Sequence, residues 1–268
     1  MRIVPVIDLL GGQAVHARRG DRANYRPVQS ALVAGSDPVD VARALLAAAQ
    51  AAQQGLGAGT ASDSPTQDPA HRADQDAEGE RLYVADLDAL QGRGVQQAAM
   101  ATLLAGLPGV QLWLDAGFGD PDAADALVAS LGDAGQRLRP VYASEALGSR
   151  AALARCTRLA GDTNQPRPGA ILSLDRRGDE QLDPAGCWQA PELWPDDLIV
   201  MTLERVGAGS GPALDTLAKV AAQARSRGHT PRLWGAGGVR DLADLRQARQ
   251  AGASGWLIAT ALHEGRLK

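Results

Sequence analysis

The order of strand-like segments in this chain repeats once, and that repeat constrains the fold more than any other sequence feature. The segment LYVADLDALQGRG, from Leu82, parallels LIVMTLERVGAGSG, from Leu198. In the same order, LWLDAGFGDPDAADAL parallels LWGAGGVRDLADL, and PVYASEALGS parallels GWLIATALHEG. The apolar runs IVPVIDLLGG, with Asp8, and AILSLDRRGD, with Asp175, occupy matching places in the two halves. Four units in the first half therefore correspond to four units in the second half. This gives eight strand-like runs and indicates an internally duplicated fold.

Helix-like segments lie between the strand-like runs. The first begins with Ser-Asp-Pro, a pattern typical of a helix N-terminus, and continues in Ala and Leu to Gln54. Similar segments span residues 95–107, 121–131, 146–159, 212–227 and 242–251. Alternation of strand and helix favours parallel strands joined by crossover helices. We therefore predict an α/β fold, a single (β/α)8 TIM barrel over residues 1–268, with half-barrels of about 1–160 and about 161–268.

Residues 55–80 interrupt this alternation. They are small, polar and acidic, with almost nothing that a core could bury. The pattern predicts a flexible surface insertion after the first helix. In a barrel, a connection from helix to strand lies at the end opposite the catalytic one.

Composition excludes several classes of function. A net charge of −4 with mixed signs gives no overall basic surface, so nucleic-acid binding is not expected. No run reaches the about 18 apolar residues of a membrane helix, so we expect a cytoplasmic protein without a membrane partner. Cys156 and Cys187 lack metal-binding spacing and HExxH is absent, so neither a metal nor a cofactor is predicted. Half-barrel repeats usually close within one chain, which is compatible with a monomer, but the sequence does not fix the oligomeric state.

The opening IVPVIDLLGGQAVHARRGD, the VADLDA run, the second-half SLD and the closing GAGGVRDLADL and GWLIATALHEG resemble the HisA/HisF family of histidine-biosynthesis barrels. The resemblance covers almost the whole chain apart from the insertion and is greatest for HisA, which isomerises a phosphoribosyl aminoaldose to its aminoketose. The loop RRGDRANYRPVQS also resembles a HisA-related branch associated with tetrahydromethanopterin-type one-carbon cofactor biosynthesis.

The two matching aspartates fit the chemistry that this resemblance implies. Such an isomerisation needs one group that protonates the ring oxygen and another that takes a proton from carbon. The resemblance implies that Asp8 is the base and Asp175 the acid, while Thr202 orients the substrate. An aspartate at a strand end also commonly forms turns or helix caps, and a threonine in a strand is equally ordinary.

The predicted phosphate-binding loops differ between the halves. The family holds two phosphates on glycine-rich loops and helix N-termini, one in each half. In the second half the glycine loop is retained, followed by an altered element; its substrate-binding candidates are Gly237, Gly238, Ala259 and Thr260. In the first half, the candidates Asp115, Gly117 and Ser144 stand in segments that depart further from the family pattern. A carboxylate at position 115 would repel a phosphate, so a bisphosphate in the usual pose is not expected.

The altered half leaves several roles open for Asp115. Together with Glu145 at the same mouth, it suits a cationic, amino or hydroxyl-rich group, or a metal with water, but Asp115 could instead cap the helix near Pro121 or pair with an arginine. Arg19, Arg22 and Arg26 crowd the first loop beside Asp8, and we expect them to clamp a phosphate or carboxylate rather than form a solvated edge.

The sequence also predicts roles for Asp86 and Trp188. Asp86, at the end of the second strand, is expected to order the loops rather than to act in catalysis. Trp188 falls in the fifth loop, where it either covers the ligand as part of a lid or packs against the rim of the barrel.

Three hypotheses follow for function. The favoured one is an acid–base enzyme of one-carbon cofactor biosynthesis that acts on a phosphorylated small molecule. The second is a true histidine-pathway isomerase with unusual phosphate loops, and Asp115 argues against it. The third is a non-catalytic ligand-binding barrel, and the presence of both Asp8 and Asp175 argues against that.

Overall fold

A computed structural model describes residues 1–16, 25–57, 79–159, 162–167 and 169–267. Arg19, Arg22 and residues 58–78, most of the predicted insertion, lie outside these ranges. Eight parallel strands form a closed sheet, in which the last strand pairs with the first from Arg2 beside Gly255 to Pro5 beside Ile258. The strands are β1 (Arg2–Leu10), β2 (Arg81–Asp86), β3 (Gln111–Asp115), β4 (Leu138–Ala143), β5 (Ile171–Arg177), β6 (Asp197–Thr202), β7 (Arg232–Ala236) and β8 (Gly255–Ile258). The predicted (β/α)8 barrel is therefore confirmed.

Helices pack around the outside of the barrel. They are α1 (Pro38–Gly57), α2 (Gln97–Gly106), α3 (Pro121–Ser130), α4 (Arg150–Thr157), α5 (Leu214–Arg225) and α6 (Leu242–Gln250). Asp37 caps α1, because its Oδ1 accepts from the N–H groups of Val39 and Asp40 at 2.9 and 3.0 Å. Helix α4 begins later than predicted because the Ser149 hydroxyl accepts from the N–H of Ala152 at 3.1 Å and caps it there.

The other elements are short. Between β5 and β6, a connection that is described throughout, two 3₁₀ turns (Cys187–Gln189 and Pro191–Leu193) take the place of an outer α-helix. Two single-turn helices, Leu87–Leu90 and Thr260–His263, follow β2 and β8. Further 3₁₀ turns are Gly132–Arg137 and Leu203–Arg205, and the additional antiparallel strands are Gln13–His16, Arg26–Pro27, Glu180–Gln181, Arg158–Leu159 and Asp162–Pro166. Within the described ranges, no helix combines the length and apolar character needed to cross a membrane.

Alternation along the strands divides the core into two layers. Successive side chains of a strand point to opposite faces, so each barrel strand contributes to both layers. The layer inside the barrel contains one large residue from each strand, namely Val4, Tyr83, Trp113, Val141, Ile171, Ile199, Trp234 and Leu257. The layer beneath the helices contains their neighbours Ile3, Leu82, Leu112, Tyr142, Leu172, Leu198, Leu233 and Trp256. Strands with two apolar faces are expected where helices cover the sheet.

A charged and aromatic cluster closes the amino-terminal end of the barrel. The buried Asp197 carboxylate accepts from Arg139 at 2.6 Å, from Arg232 at 2.7 and 2.8 Å and from the Trp234 indole N–H at 2.9 Å. Burial alone would raise the pKa of Asp197, but Arg139 and Arg232 hold it below its ordinary value. Arg81 lies 5.3 Å from the centre of the Trp234 ring, and burial lowers its pKa to about 10. We refer to Arg81, Arg139, Asp197 and Arg232 as the floor cluster.

Gly255 provides a test of packing in this region. A Cβ atom at this position would lie 2.4 Å from the Trp234 ring and 2.7 Å from the Arg2 carbonyl oxygen. Gly255→Ala should therefore lower the free energy of unfolding by about 1–3 kcal/mol, measured by urea denaturation. Gly148→Ala is the matched control, because nothing lies within 4 Å of its added Cβ, and its effect should stay within about 0.5 kcal/mol. Equal effects of the two substitutions would contradict the packing argument.

Candidate active site

A cavity of about 190 Å³ opens at the carboxyl ends of the barrel strands. One water molecule takes up about 10–15 Å³ of such cavity volume, so the cavity has room for a small organic molecule. Its strand-derived wall includes Val6, Asp8, Tyr83, Asp115, Met201, Ala236 and Leu257. Active sites of (β/α)8 barrels form at this end, where the loops after the strands converge.

Asp8 lies on the wall of this cavity, as predicted for a residue that meets substrate. It pairs in register with Ala85 of β2 on one side and with Val15 of the antiparallel strand on the other. The side chain is half-buried. Backbone pairing on both sides fixes the position of this carboxylate at the mouth of the barrel.

Asp115 ends β3 and also lines the cavity. One oxygen accepts from the Tyr83 hydroxyl at 2.8 Å, and the other accepts from the Gly117 N–H at 3.2 Å. Burial raises the pKa of Asp115 to about 6. The charge of Glu145 contributes to this increase, and the two hydrogen bonds oppose it. The suggestion that Asp115 caps the helix near Pro121 is wrong, because Asp120 caps α3 by accepting from Asp122 N–H at 2.8 Å.

Asp175 belongs to β5 but does not line the cavity. Its backbone pairs in register with Met201, a lining residue, but its own carboxyl is buried. The Ser173 hydroxyl lies 2.6 Å from one carboxyl oxygen, and the Ser144 hydroxyl lies 3.3 Å from the other. Burial raises the pKa of Asp175 well above its ordinary value, and the charges of Asp115 and Glu145 act in the same direction.

The second-half glycine loop lies where the sequence predicted it. Gly237 and Gly238 line the cavity with φ of 82° and 84°, and a Cβ on Gly238 would lie 2.0 Å from the Gly211 carbonyl oxygen. Only glycine satisfies both conditions without a backbone shift. The Gly238 N–H donates to the Arg205 carbonyl at 2.9 Å. Ala259 and Thr260 complete this side of the wall.

Outside the first loop, three residues proposed to bind substrate do not line the cavity. Ser144 is buried, and its hydroxyl lies 2.8 Å from the Leu182 carbonyl and accepts from the Asp175 N–H at 2.9 Å. The Gly117 N–H is used by Asp115. Thr202 is buried at the end of β6, one position beyond the lining residue Met201. As placed, Ser144 supports Asp175, while Gly117 supports Asp115.

The first loop is described only in part. Arg26 is exposed in the short strand Arg26–Pro27, which pairs with His16, and it does not line the cavity. Arg19 and Arg22 lie outside the described residues, so the predicted arginine clamp stays a prediction. Tyr25, from the same loop, does contribute to the wall.

Asp86 organises the loops beside Asp8, as predicted. Its carboxylate accepts from the backbone N–H groups of Asp88 and Ala89, each at 3.1 Å, and from the backbone and side chain of Gln96 at 2.7 and 2.8 Å. The Gln96 amide in turn accepts from the Gly12 N–H at 2.6 Å. Asp86 therefore ties the turn after β1 to the segment after β2.

The lid prediction for Trp188 is wrong. Trp188 is buried within the layer between strands and helices and does not line the cavity. Its N–H donates to Asp183 at 2.9 Å, and its carbonyl accepts from the Gln223 side chain at 2.6 Å. The alternative, packing against the barrel, is correct.

The wall also contains Glu145, which the sequence placed beside Asp115, and three functional side chains that the sequence did not indicate: Tyr83, Arg177 and Arg266. Arg177 follows Asp175 by two positions on β5, so strand alternation alone places it on the same face. No comparable signal identifies Arg266, which follows the last helical turn. Within the described ranges, no group of three His, Cys, Asp or Glu side chains could hold a metal ion.

Comparison with known proteins links the second half of the barrel to a family. Residues 187–268 match the family model described as "Histidine biosynthesis protein". This part of the chain is similar to that family. The match contains the glycine loop and Thr260 but neither Asp8, Asp115 nor Asp175, and it covers less than a third of the chain.

One curated relative also matches. An uncharacterized protein of Methanocaldococcus jannaschii is 46% identical over 44 residues, which are 16% of this chain and 20% of the relative. The alignment thus spans about a fifth of that relative's length.

Proposed function

We propose that this protein is an enzyme that moves protons on a phosphorylated small molecule by isomerase-type acid–base chemistry. The observation that supports this most directly is the cavity at the carboxyl ends of the strands, with Asp8 on its wall and Asp175 on the strand that carries the lining residue Arg177. Similarity of residues 187–268 to a histidine-biosynthesis family agrees with such a reaction.

The two aspartates differ in surroundings, and this favours different roles. Asp8 faces the open cavity and is the proposed base, which accepts a proton from the substrate carbon. Burial raises the pKa of Asp175 and favours its neutral form, so it is the proposed acid, which donates a proton to the substrate oxygen. Each proton transfer of this kind typically contributes 10²–10⁴-fold to a rate. After one forward reaction, Asp175 has lost one proton and Asp8 has gained one. The reverse transfers, through solvent or the product, then complete the cycle.

The proposed pathway is one-carbon cofactor biosynthesis of the tetrahydromethanopterin type, in the cytoplasm and as a monomer. The alternative, a histidine-pathway isomerase, requires a substrate with two phosphates. Asp115 stands on the first-half wall of the cavity. Two like charges about 4 Å apart repel by about 4 kcal/mol at an effective dielectric constant of about 20, and a phosphate dianion would feel more.

Two growth experiments test this assignment. The gene should not restore growth of a histidine auxotroph that lacks the isomerase. It should restore growth on methanol of a methylotrophic bacterium from which the counterpart gene has been deleted. Growth of the auxotroph would favour the histidine pathway instead, and failure in the methylotroph with a folded, expressed protein would refute the cofactor pathway.

A further inference from the structure

The wall of the cavity is divided by charge. Asp8, Asp115 and Glu145 lie on the side built by the first half of the barrel, and Arg177 and Arg266 lie on the side built by the second half. Apolar side chains, among them Leu257, also line the cavity. A ligand that fills this cavity therefore meets carboxylates supplied by the first half and guanidinium groups supplied by the second half.

Two of these carboxylates, Asp115 and Glu145, are not neutralised by basic partners that the structure describes. Within the described ranges, neither Asp115 nor the exposed Glu145 forms an ion pair. Asp115 receives only the Tyr83 hydroxyl and the Gly117 N–H, which occupy one lone pair on each oxygen. A carboxylate can accept about four hydrogen bonds, so capacity remains for a donor from the ligand.

The guanidinium groups also have free donors. Arg177 forms no ion pair or side-chain hydrogen bond with any described residue, although it shares the cavity with two unpaired carboxylates. Arg266 pairs through Nε with Glu264 at 2.6 Å, and its Nη1 lies 3.4 Å from the Arg240 carbonyl oxygen. Arginine carries five N–H donors, so both side chains can still bind phosphate oxygens.

We propose that the substrate is a phosphate monoester that also carries a protonated amine, with the ammonium group between Asp115 and Glu145 and the phosphate against Arg177 and Arg266. This rests on the proposed function only in assigning the cavity as the substrate site. It goes beyond that function because it limits the substrate to one phosphate and places a cation at the opposite end.

The raised pKa of the buried Asp115 gives this arrangement a measurable signature. Since the pKa of Asp115 is raised to about 6 in the empty site, part of this carboxyl is protonated near pH 6. An ammonium group favours the ionised form, so binding at pH 6 should release protons. The release is obtained from calorimetry in two buffers with different heats of ionisation.

The test compares two probes that differ only in the amine. D-Glucosamine 6-phosphate and D-glucose 6-phosphate are titrated into the full-length protein by isothermal calorimetry at pH 6 and low salt. We expect at least tenfold tighter binding of the amino sugar, with proton release. In Asp115→Asn the preference should fall to about twofold or less, and the extra proton release of the amino sugar over the neutral sugar should disappear, while Arg266→Gln should weaken both probes by a similar factor.

A matched control variant distinguishes a specific loss of ligand binding from a loss of folding. Arg155→Gln removes an exposed arginine that pairs with Asp120 and Asp122 outside the cavity, and should bind both probes like the parent. Glu145→Gln provides a second, surface-exposed change on the acidic side, and should also reduce the preference. Equal affinity of the parent for the two probes, binding of neither at millimolar concentration, or a preference that survives Asp115→Asn would overturn the proposal. The comparison needs no turnover, so it can succeed even if the growth tests refute the catalytic assignment.

Discussion

Asp197→Asn should lower the free energy of unfolding by about 3–5 kcal/mol, the loss expected when one partner of a buried ion pair is removed. Asp197 is the one carboxylate of the floor cluster, which also contains Arg81, Arg139 and Arg232. An amide at this position keeps the shape of the side chain but removes the negative charge with which Arg139 and Arg232 form ion pairs. Urea denaturation at pH 7 measures the effect.

The pH dependence of this loss has a defined sign. Arg139 and Arg232 hold the pKa of folded Asp197 below its ordinary value of 3.8, so its contribution to stability is complete above that value. The difference between parent and Asp197→Asn should therefore be constant at neutral pH and shrink as the pH falls below about 4.

An exposed ion pair supplies the control for Asp197. Asp122 pairs with Arg155, and 78% of its side chain is exposed. Asp122→Asn should change the free energy of unfolding by about 1 kcal/mol or less. If Asp197→Asn cost no more than this control, the floor cluster would have to be in contact with water.

Asp8→Asn and Asp175→Asn should each reduce turnover by about 10²–10⁴-fold without a comparable loss of stability. Asparagine cannot take the proton from carbon at position 8, and it cannot release a proton to oxygen at position 175. Burial raises the pKa of Asp175 well above its ordinary value and so favours the neutral form, so a neutral amide should be tolerated there. Growth on methanol of the methylotroph that lacks the counterpart gene reports on activity. Urea denaturation of the purified variants measures stability.

The Asp122→Asn protein again serves as the control and should support growth like the parent. Full growth with either Asp8→Asn or Asp175→Asn would show that the barrel does not use these carboxylates for proton transfer. Loss of growth together with loss of folding would point instead to a structural role.

The sequence predicted the barrel well because the evidence for it was distributed over the whole chain. Eight apolar runs in a repeated order fix the number and sequence of the strands even if single matches are weak. It also placed Asp8 and Asp115 on the cavity, because both residues end their strand-like runs and polar residues at that point face the mouth of a barrel.

The orientation of single side chains was harder to predict, for a physical reason. Barrel strands are buried on both faces, so a run such as LIVMT shows no alternation from which the inner face could be identified. Met201 therefore points into the cavity while Thr202, the residue chosen, does not line it. The same ambiguity hid Arg177, and the floor cluster was missed because its members are far apart in the sequence.

The rings of Trp113 and Trp234, which meet edge to face with centres 4.8 Å apart, fill the barrel beneath the cavity. Within the described part of the chain, the cavity is therefore closed below and has the form of a cup rather than a channel. Under the proposed function, substrate enters and product leaves through the same mouth. Product that has not departed then blocks the next cycle, and an excess of product should inhibit turnover by competing directly with the substrate.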